Sequence, residues 1–276
     1  MVRTTRLELY NSEIPFLPEG ARAPTLEVFI PSADKATGYG MLAFPGGSYS
    51  FLSPKSGVDY GAWFAERGIT VVVVNFRLGS EGANGQAICC DALTTMQHVK
   101  ENASDWCIDL DRTGVIGTSA GGHLAGCLAT GIAQTMPELS ELSGMLDLKW
   151  RPSFAVYCYS VLSLMEPLAH NETRANFLGP KALSTSHQYA YSPIKHVMPD
   201  QCRSFIWHTI EDTEVAASNS TEYAAQLQAN GVPLEFHLYQ KGPHALGLAK
   251  NLKNDVTLCW RHDCLRWILE SEVEEV

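Results

Sequence analysis

The run Val115 to Leu124 holds a serine whose setting could make it a nucleophile. Ser119 stands between Gly117 and Gly121 in a Gly-x-Ser-x-Gly pattern, after an apolar stretch and before a helix-like one. This pattern is typical of a sharp strand-to-helix turn, in which the flanking positions have no room for side chains and the hydroxyl projects outward. The following helix would place its positive dipole end and the amide of Ala120 beside a developing oxyanion. The alternative is a glycine turn with an incidental serine, which the flanking strand and helix patterns disfavour.

A serine hydroxyl is a weak nucleophile at neutral pH, so it needs a base and a carboxylate that orients the base. After a serine on such a turn, the acid comes next in the chain and the histidine follows it. His244 lies in the loop Lys241 to Gly247, after the last strand-like run, from which a side chain can reach the end of a sheet. We therefore expect His244 to be the base. His237 lies within a strand, and His208 ends a strand, where it could line the site but is more simply a hydrogen-bonded structural residue.

The acid is expected in the loop Thr209 to Val215, which follows the strand-like run Phe205 to His208 and holds three carboxylates. Spacing alone does not separate Glu211, Asp212 and Glu214. We favour Asp212 because a short side chain holds an imidazole more rigidly. Glu211 and Glu214 are interpreted as solvated loop charges.

The loop Phe44 to Tyr49 could supply free backbone amides near the serine, which an oxyanion requires. It follows an early strand-like run and contains Gly46 and Gly47, as a backbone that approaches a substrate closely would. A plain Pro-Gly turn is the alternative interpretation. The sequence therefore predicts an oxyanion hole at this loop, completed by the amide of Ala120.

Strand-like and helix-like runs alternate along the chain, which predicts the α/β class, with a mostly parallel sheet and helices on both faces. Val71 to Val74 is the clearest strand, because four β-branched residues in a row suit a central position that is buried on both sides. The irregular stretches 130–149 and 162–199 could cover the site as a small cap. The predicted strands are 26–30, 40–44, 69–75, 113–116, 154–159, 205–208 and 234–239, and the predicted helices are 60–67, 86–104, 122–130, 220–230 and 255–270.

Composition limits the class of protein. The 276 residues, 45% of them hydrophobic, can bury the core of one α/β domain over 1–276, and we find no repeat or linker. A net charge of −10 without a basic run argues against a nucleic-acid partner. No signal-like or membrane-length apolar segment is evident, so we expect a cytoplasmic protein that does not contact membranes. The eight cysteines lack metal-site spacing and are expected to be ordinary thiols, and we predict no metal or other cofactor.

Taken together, the motifs resemble those of α/β-hydrolases of the hormone-sensitive-lipase-like branch, and within it the small bacterial esterases related to acetyl-xylan and feruloyl esterases. The resemblance covers nearly the whole chain, from about Met41 to Leu248. It rests on PGGSYSFLS at 45–53, VVVVNFRLG at 71–79, IDLDRTGVIGTSAGGHLA at 108–125, YSPIKHV at 191–197, WHTIEDTEV at 207–215 and GPHALGL at 242–248.

The resemblance implies roles for individual residues. It makes Ser119 the nucleophile, Asp212 the acid and His244 the base. It also implies an oxyanion hole built from three backbone amides, those of Gly47, Ser48 and Ala120. The chain departs from the family pattern at four positions, with Phe44 in place of His, and with Ser48, Thr209 and Ala245 each in place of Gly.

These expectations converge on a serine carboxylesterase that cleaves short-acyl, acetyl-type esters through an acyl-enzyme. The short-acyl preference rests on Tyr49, Phe51 and Tyr159, which would narrow the pocket, and on the lack of a large lid domain. The substrate would be a small ester, such as an acetylated sugar or an aryl ester. Relatives are often dimers, so a homodimer is compatible with the resemblance, although no segment marks an interface.

Two alternatives share parts of this pattern. A serine peptidase or amidase of the same fold has the same order of residues, but such peptidases usually carry an extra domain. A non-catalytic ligand-binding protein of this fold is expected to have lost the histidine, so the presence of His244 counts against it.

Overall fold

The computed structural model describes residues 1–11, 13–142, 146–250 and 256–270. Within these ranges the strands are β1 (Arg3–Glu8), β2 (Thr25–Ile30), β3 (Gly38–Phe44), β4 (Thr70–Asn75), β5 (Ile108–Thr118), β6 (Phe154–Cys158), β7 (Arg203–Thr209) and β8 (Leu234–Tyr239). The helices are α1 (Val58–Ala65), α2 (Gly85–Asn102), α3 (Ala120–Ala129), α4 (Pro137–Ser140), α5 (Asn171–Leu178), α6 (Thr185–Ala190), α7 (Ser218–Ala229) and α8 (Trp260–Leu269).

The strands form one sheet in the order β1-β2-β4-β3-β5-β6-β7-β8. β2 runs antiparallel to both of its neighbours, and every other neighbouring pair is parallel. The carboxyl ends of the parallel strands therefore lie at one edge of the sheet, and the loops that follow β3, β5, β7 and β8 meet there.

The hydrophobic core lies on both faces of this sheet. Val72 and Val74 belong to a buried cluster that includes residues of α2, α3 and α7. Val71 and Val73 belong to a second cluster, which includes residues of α1 and α8. The burial of β4 on both faces was predicted, but β4 is third in the order of eight strands rather than at the centre.

Most predicted elements are present with shifted boundaries. β5 extends beyond the predicted 113–116 at both ends. β1 was not predicted, because its polar sequence RTTRLE is largely exposed and pairs only with β2. The predicted helix 255–270 starts at a residue outside the described ranges, and the described part is a 3-10 turn at Val256–Cys259 followed by α8.

One of the two predicted cap segments lies over the sheet edge. Within 162–199, Asn176 of α5 donates hydrogen bonds of 2.8 Å to the carbonyl oxygen of Ser48 and to Oγ of Ser50, so α5 holds the loop after β3. Within 130–149, residues 143–145 lie outside the described ranges. The described remainder packs beside α2 and lines no part of the pocket at Ser119.

The eight cysteines all fall in the described ranges and are free thiols. Five of them are buried, namely Cys89, Cys90, Cys127, Cys158 and Cys264. Among the described helices, none has both the length and the apolar surface that crossing a bilayer would require.

Candidate active site

Ser119 occupies the sharp turn between β5 and α3. Its backbone has φ 51° and ψ −121°, a strained conformation for a residue with a side chain. A Cβ at Gly117 would lie 2.2 Å from the carbonyl oxygen of Gly121, and a Cβ at Gly121 would lie 2.0 Å from that of Phe44. No side chain fits at either position, so the turn requires both glycines.

His244 and Asp212 form a hydrogen-bonded row with this serine. Nε2 of His244 lies 2.9 Å from Oγ of Ser119, and Nδ1 of His244 lies 2.6 Å from Oδ2 of Asp212. Because an ionised carboxylate only accepts hydrogen bonds, Nδ1 carries the proton and Nε2 is left to accept from the serine hydroxyl. This arrangement can remove the serine proton while the carboxylate stabilises the resulting imidazolium.

Asp212 is buried and its carboxylate is fully hydrogen-bonded. Oδ1 accepts from the backbone amides of Glu214 and Val215 at 3.0 and 2.9 Å. Oδ2 accepts from His244 and also from Nε2 of His208, which lies 3.2 Å away. Burial raises the pKa of Asp212, but the hydrogen bonds from both histidines outweigh burial and hold that pKa well below its usual value. Asp212 is therefore ionised at neutral pH.

Glu211 and Glu214 are both exposed, as their interpretation as solvated loop charges predicts, and each also contacts another part of the site. Oε2 of Glu211 accepts a hydrogen bond of 3.1 Å from the amide of Gly242, in the loop that carries His244. Glu214 lines the pocket beside Ser119. Neither side chain takes the place of Asp212 at the imidazole.

The loop after β3 presents its backbone to the same pocket. Gly47 and Ser48 both line the pocket, and Gly47 has φ 127°. A Cβ at Gly47 would lie 2.2 Å from the carbonyl oxygen of Phe51, so the loop is closed tightly on itself. Ala120 is the first residue of α3. Within the described ranges the amides of these three predicted oxyanion-hole residues donate to no other protein group.

The pocket at Ser119 is a small cavity of about 180 Å³. The ring of Tyr159 forms one wall, 5.0 Å from the ring of His244, and its hydroxyl accepts a hydrogen bond of 3.0 Å from the amide of Gly247. Phe51 also lines the pocket, although 59% of it is exposed. Two of the three predicted substrate-binding residues are thus at the pocket.

Tyr49 is not at the pocket, and its prediction as a substrate-binding residue was wrong. The backbone of Tyr49 has φ 58°, and its side chain lies in the core, where it is 1% exposed. Its hydroxyl donates to Nδ1 of His123 at 2.9 Å, and its ring packs 5.3 Å from that of Phe177 and 5.8 Å from that of Phe76. Tyr49 therefore supports the loop from the core.

The four departures from the family pattern are accommodated locally. Ser48 and Ala245 have φ 56° and 59°, so both keep the left-handed conformation that favours glycine. Thr209 extends β7 and donates a 2.7 Å hydrogen bond from Oγ1 to the carbonyl oxygen of Gly242, which fixes the loop that carries His244. Phe44 is buried at the end of β3.

Sequence analysis did not find Glu172, which also lines the pocket. It lies in the first turn of α5 and accepts a 2.6 Å hydrogen bond from Oγ of Ser50. No local sequence signal marks this contact, because the two residues are far apart in the chain. His208 was expected to be a hydrogen-bonded structural residue, but its contact with Asp212 was not foreseen.

Comparisons with known proteins agree with this architecture. The chain is 28% identical over 228 residues to an acetylxylan esterase of Xylanibacter ruminicola, and 27% identical over 217 residues to endo-1,4-beta-xylanase B of Butyrivibrio fibrisolvens. These alignments cover 79% and 76% of this chain but only 43% and 33% of the relatives, so the chain matches less than half of each.

Solved structures match over almost the full chain. The acetyl ester-xyloside bifunctional hydrolase of Caldicellulosiruptor lactoaceticus has 28% identity and a TM-score of 0.82, covering 95% of this chain and 94% of that one. The carboxylesterase Cest-2923 of Lactobacillus plantarum has 22% identity and a TM-score of 0.76, covering 98% and 97%, and shows the shared fold. The fold is therefore that of the α/β-hydrolases, as the sequence motifs predicted.

A family profile, that of BD-FAE, matches residues 26–227. The match includes the loop after β3, Ser119 at the turn between β5 and α3, and the loop that holds Asp212, and it extends over well more than half of the chain. The chain therefore belongs to the BD-FAE family of α/β-hydrolases.

Proposed function

We propose that the protein is a serine carboxylesterase that acts through Ser119, His244 and Asp212. The observation that carries the proposal is the row of hydrogen bonds from Oγ of Ser119 to Nε2 of His244 at 2.9 Å and from Nδ1 of His244 to Asp212 at 2.6 Å. The names of two similar proteins, an acetylxylan esterase and an acetyl ester-xyloside hydrolase, support this chemistry.

Acylation begins when Oγ of Ser119 attacks the ester carbonyl carbon while Nε2 of His244 takes the serine proton. The carbonyl oxygen becomes an oxyanion, which the amides of Gly47, Ser48 and Ala120 are placed to stabilise. The intermediate then collapses, the carbon–oxygen bond to the alcohol breaks, and the imidazolium returns its proton to the leaving alcohol. Serine and acyl group remain joined as an ester.

Deacylation repeats these steps with water as the nucleophile. His244 removes a proton from the water as the water oxygen attacks the acyl carbon, and the same amides stabilise the second oxyanion. Oγ of Ser119 then leaves and regains its proton from the imidazolium. Asp212, held ionised by its hydrogen bonds, stabilises the imidazolium in both halves of the cycle.

We infer that the enzyme prefers short acyl groups such as acetyl. A cavity of about 180 Å³ beside Ser119 has little room for a long acyl chain. Phe51 and Tyr159 limit its width, whereas Tyr49 plays no part in this limit. Acetylated xylo-oligosaccharides are the first natural esters to test, because one similar protein is named an acetylxylan esterase and another an acetyl ester-xyloside hydrolase.

Hydrolysis of p-nitrophenyl acetate, butyrate and palmitate by the wild type, Ser119→Ala and Ser140→Ala tests this proposal. The matched control is Ser140→Ala, because Ser140 is an exposed serine of α4 that lines no part of the pocket at Ser119. We expect Ser119→Ala to lower kcat by about 10⁴-fold or more and Ser140→Ala to remain within about threefold of wild type. The acetate ester should be the best substrate.

Retained hydrolysis by Ser119→Ala would refute the proposed nucleophile, and palmitate as the best substrate would refute the short-acyl preference. A parallel assay with p-nitroacetanilide tests the amidase alternative. Faster cleavage of this amide than of the acetate ester would replace the esterase proposal.

A further inference from the structure

A second histidine contacts the same carboxylate oxygen of Asp212 that His244 contacts. His208, at the end of β7, is fully buried. Its Nε2 lies 3.2 Å from Oδ2 of Asp212 and 3.0 Å from the carbonyl oxygen of Val215, and its Nδ1 lies 2.7 Å from Oγ of Ser220. Oδ2 of Asp212 is therefore within hydrogen-bond distance of two imidazoles.

These contacts determine where the proton of His208 lies. A carboxylate and a backbone carbonyl can only accept, so Nε2 carries the hydrogen and shares it between Asp212 and Val215. Nδ1 must then accept the hydroxyl proton of Ser220, which lies in the first turn of α7. Ser220 thus selects the tautomer of His208 that can donate to Asp212.

We propose that His208, with its tautomer fixed by Ser220, is a positioning residue for the esterase reaction. It orients the carboxylate of Asp212 and lowers its strength as a hydrogen-bond acceptor for His244. This proposal rests on the proposed function of Ser119, Asp212 and His244. The hydrogen bond from His208 fixes Oδ2, so that the remaining lone pair faces Nδ1 of His244. Sharing the charge of Oδ2 with a second donor also makes Asp212 a weaker acceptor for His244.

A structural role alone would have different consequences. If His208 only held the turn 212–215 through the carbonyl oxygen of Val215, its loss would lower stability and kcat together. If His208 also tunes Asp212, its loss leaves the carboxylate more basic toward His244 and favours the imidazolium. The acidic limb of the kcat/KM profile, which follows protonation of the base in the free enzyme, would then move to higher pH.

The experiment compares His208→Phe, His208→Gln and Ser220→Ala with the wild type, using p-nitrophenyl acetate from pH 5 to 9 together with the Tm of each protein. The matched control is His237→Gln, because His237 on the adjacent strand β8 also pairs with a carboxylate, Glu235 at 2.7 Å, but lines no part of the pocket. The other titratable groups near His244 and Asp212 stay unchanged in all variants, namely Tyr159, His170, Glu172 and Glu214.

We expect His208→Phe to lower kcat by about 10- to 100-fold, which corresponds to loss of one hydrogen bond to a charged group, with KM changed less than about twofold. Its acidic limb should move up by about half a pH unit. His208→Gln, whose amide can still donate, should recover part of the loss. Ser220→Ala should shift the limb in the same direction by a smaller amount, and His237→Gln should match the wild type.

An unmoved acidic limb, or a loss of kcat that only follows Tm, would overturn the proposal. If His208→Phe does not fold, His208→Gln and Ser220→Ala decide the outcome by the same criterion. Failure of the proposed function is distinguishable, because Ser119→Ala would then retain hydrolysis. Failure of this inference alone leaves Ser119→Ala inactive while the pH profiles of all histidine variants coincide.

Discussion

At the scale of single residues, hydrogen bonding to His244 distinguishes Asp212 from the two neighbouring carboxylates, Glu211 and Glu214. Only Asp212 among the three lies within hydrogen-bond distance of His244, while Glu211 contacts the amide of Gly242 and Glu214 faces the pocket. Substitution of each of these three carboxylates therefore tests which one orients His244.

We predict that Asp212→Asn lowers kcat by roughly 10³- to 10⁴-fold, as loss of the orienting carboxylate does in other serine triads. An asparagine amide can donate to Nδ1 of His244 and favour the tautomer that cannot accept the serine proton. Glu211→Gln and Glu214→Gln should stay within about tenfold of wild type. Steady-state kinetics with p-nitrophenyl acetate measures all three, and a loss in Glu214→Gln equal to that in Asp212→Asn would refute the assignment.

The candidate serine and histidine each have a local sequence signal, whereas the sequence identifies only the loop that holds the acid and favours Asp212 by side-chain length. Ser119 has flanking glycines, His244 follows the last strand, and Asp212 follows β7. The side-chain direction of Tyr49 could not be predicted, since it depends on a positive φ that no sequence pattern announced. The contact between Glu172 and Ser50 could not be predicted either, because it depends on where α5 folds over the sheet.

At the scale of elements, a buried histidine of α3, His123, connects this helix to its neighbours. His123 is fully buried, and its Nε2 donates to the carbonyl oxygen of Tyr191 at 2.7 Å while its Nδ1 accepts from Tyr49. Burial lowers the pKa of His123 to about 4. The neutral imidazole therefore links α3, the loop after β3 and the cap segment.

This burial predicts that the free energy of unfolding falls as the pH is lowered from about 6.5 to about 4. Between these pH values the unfolded chain binds a proton at His123 that the folded chain does not bind. The free energy of unfolding therefore decreases on acidification, and His123 accounts for at most about 3 kcal/mol of the decrease. Urea unfolding at pH 7 and pH 4.5 measures the loss.

His123→Gln should be less stable at pH 7 but should lose less stability on acidification than the wild type. Tyr49→Phe is the control, because it removes one hydrogen bond and leaves the imidazole buried, so its pH dependence should remain like that of the wild type. Identical pH slopes for His123→Gln and the wild type would contradict the assignment to His123.

The elements that could be predicted are those with strong apolar patterns, such as β4, whose valines are buried on both faces. β1 could not be predicted, because an exposed edge strand buries little apolar surface and so lacks an alternating apolar pattern. The cap could be predicted only as an irregular region. Its contact with the loop after β3 through Asn176 depends on tertiary packing.

At the scale of the whole molecule, the parallel sheet brings distant parts of the sequence to one place. Ser119 follows β5, Asp212 follows β7, His244 follows β8, and the loop with Gly47 follows β3. Because these strands are parallel, all four loops emerge at the same edge. The fold class could thus be predicted from the alternation of strand-like and helix-like runs, whereas the distances between the side chains required the folded structure.

The most direct test of this account is covalent labelling with a p-nitrophenyl alkylphosphonate, which reacts with a serine activated by a histidine and mimics the tetrahedral intermediate. Mass spectrometry of the intact and digested protein locates the adduct. We predict one phosphonyl group per chain on Ser119, no label on Ser119→Ala, and much slower labelling of His244→Gln. A label on another residue, or an unlabelled Ser119 in a protein that hydrolyses p-nitrophenyl acetate, would contradict it.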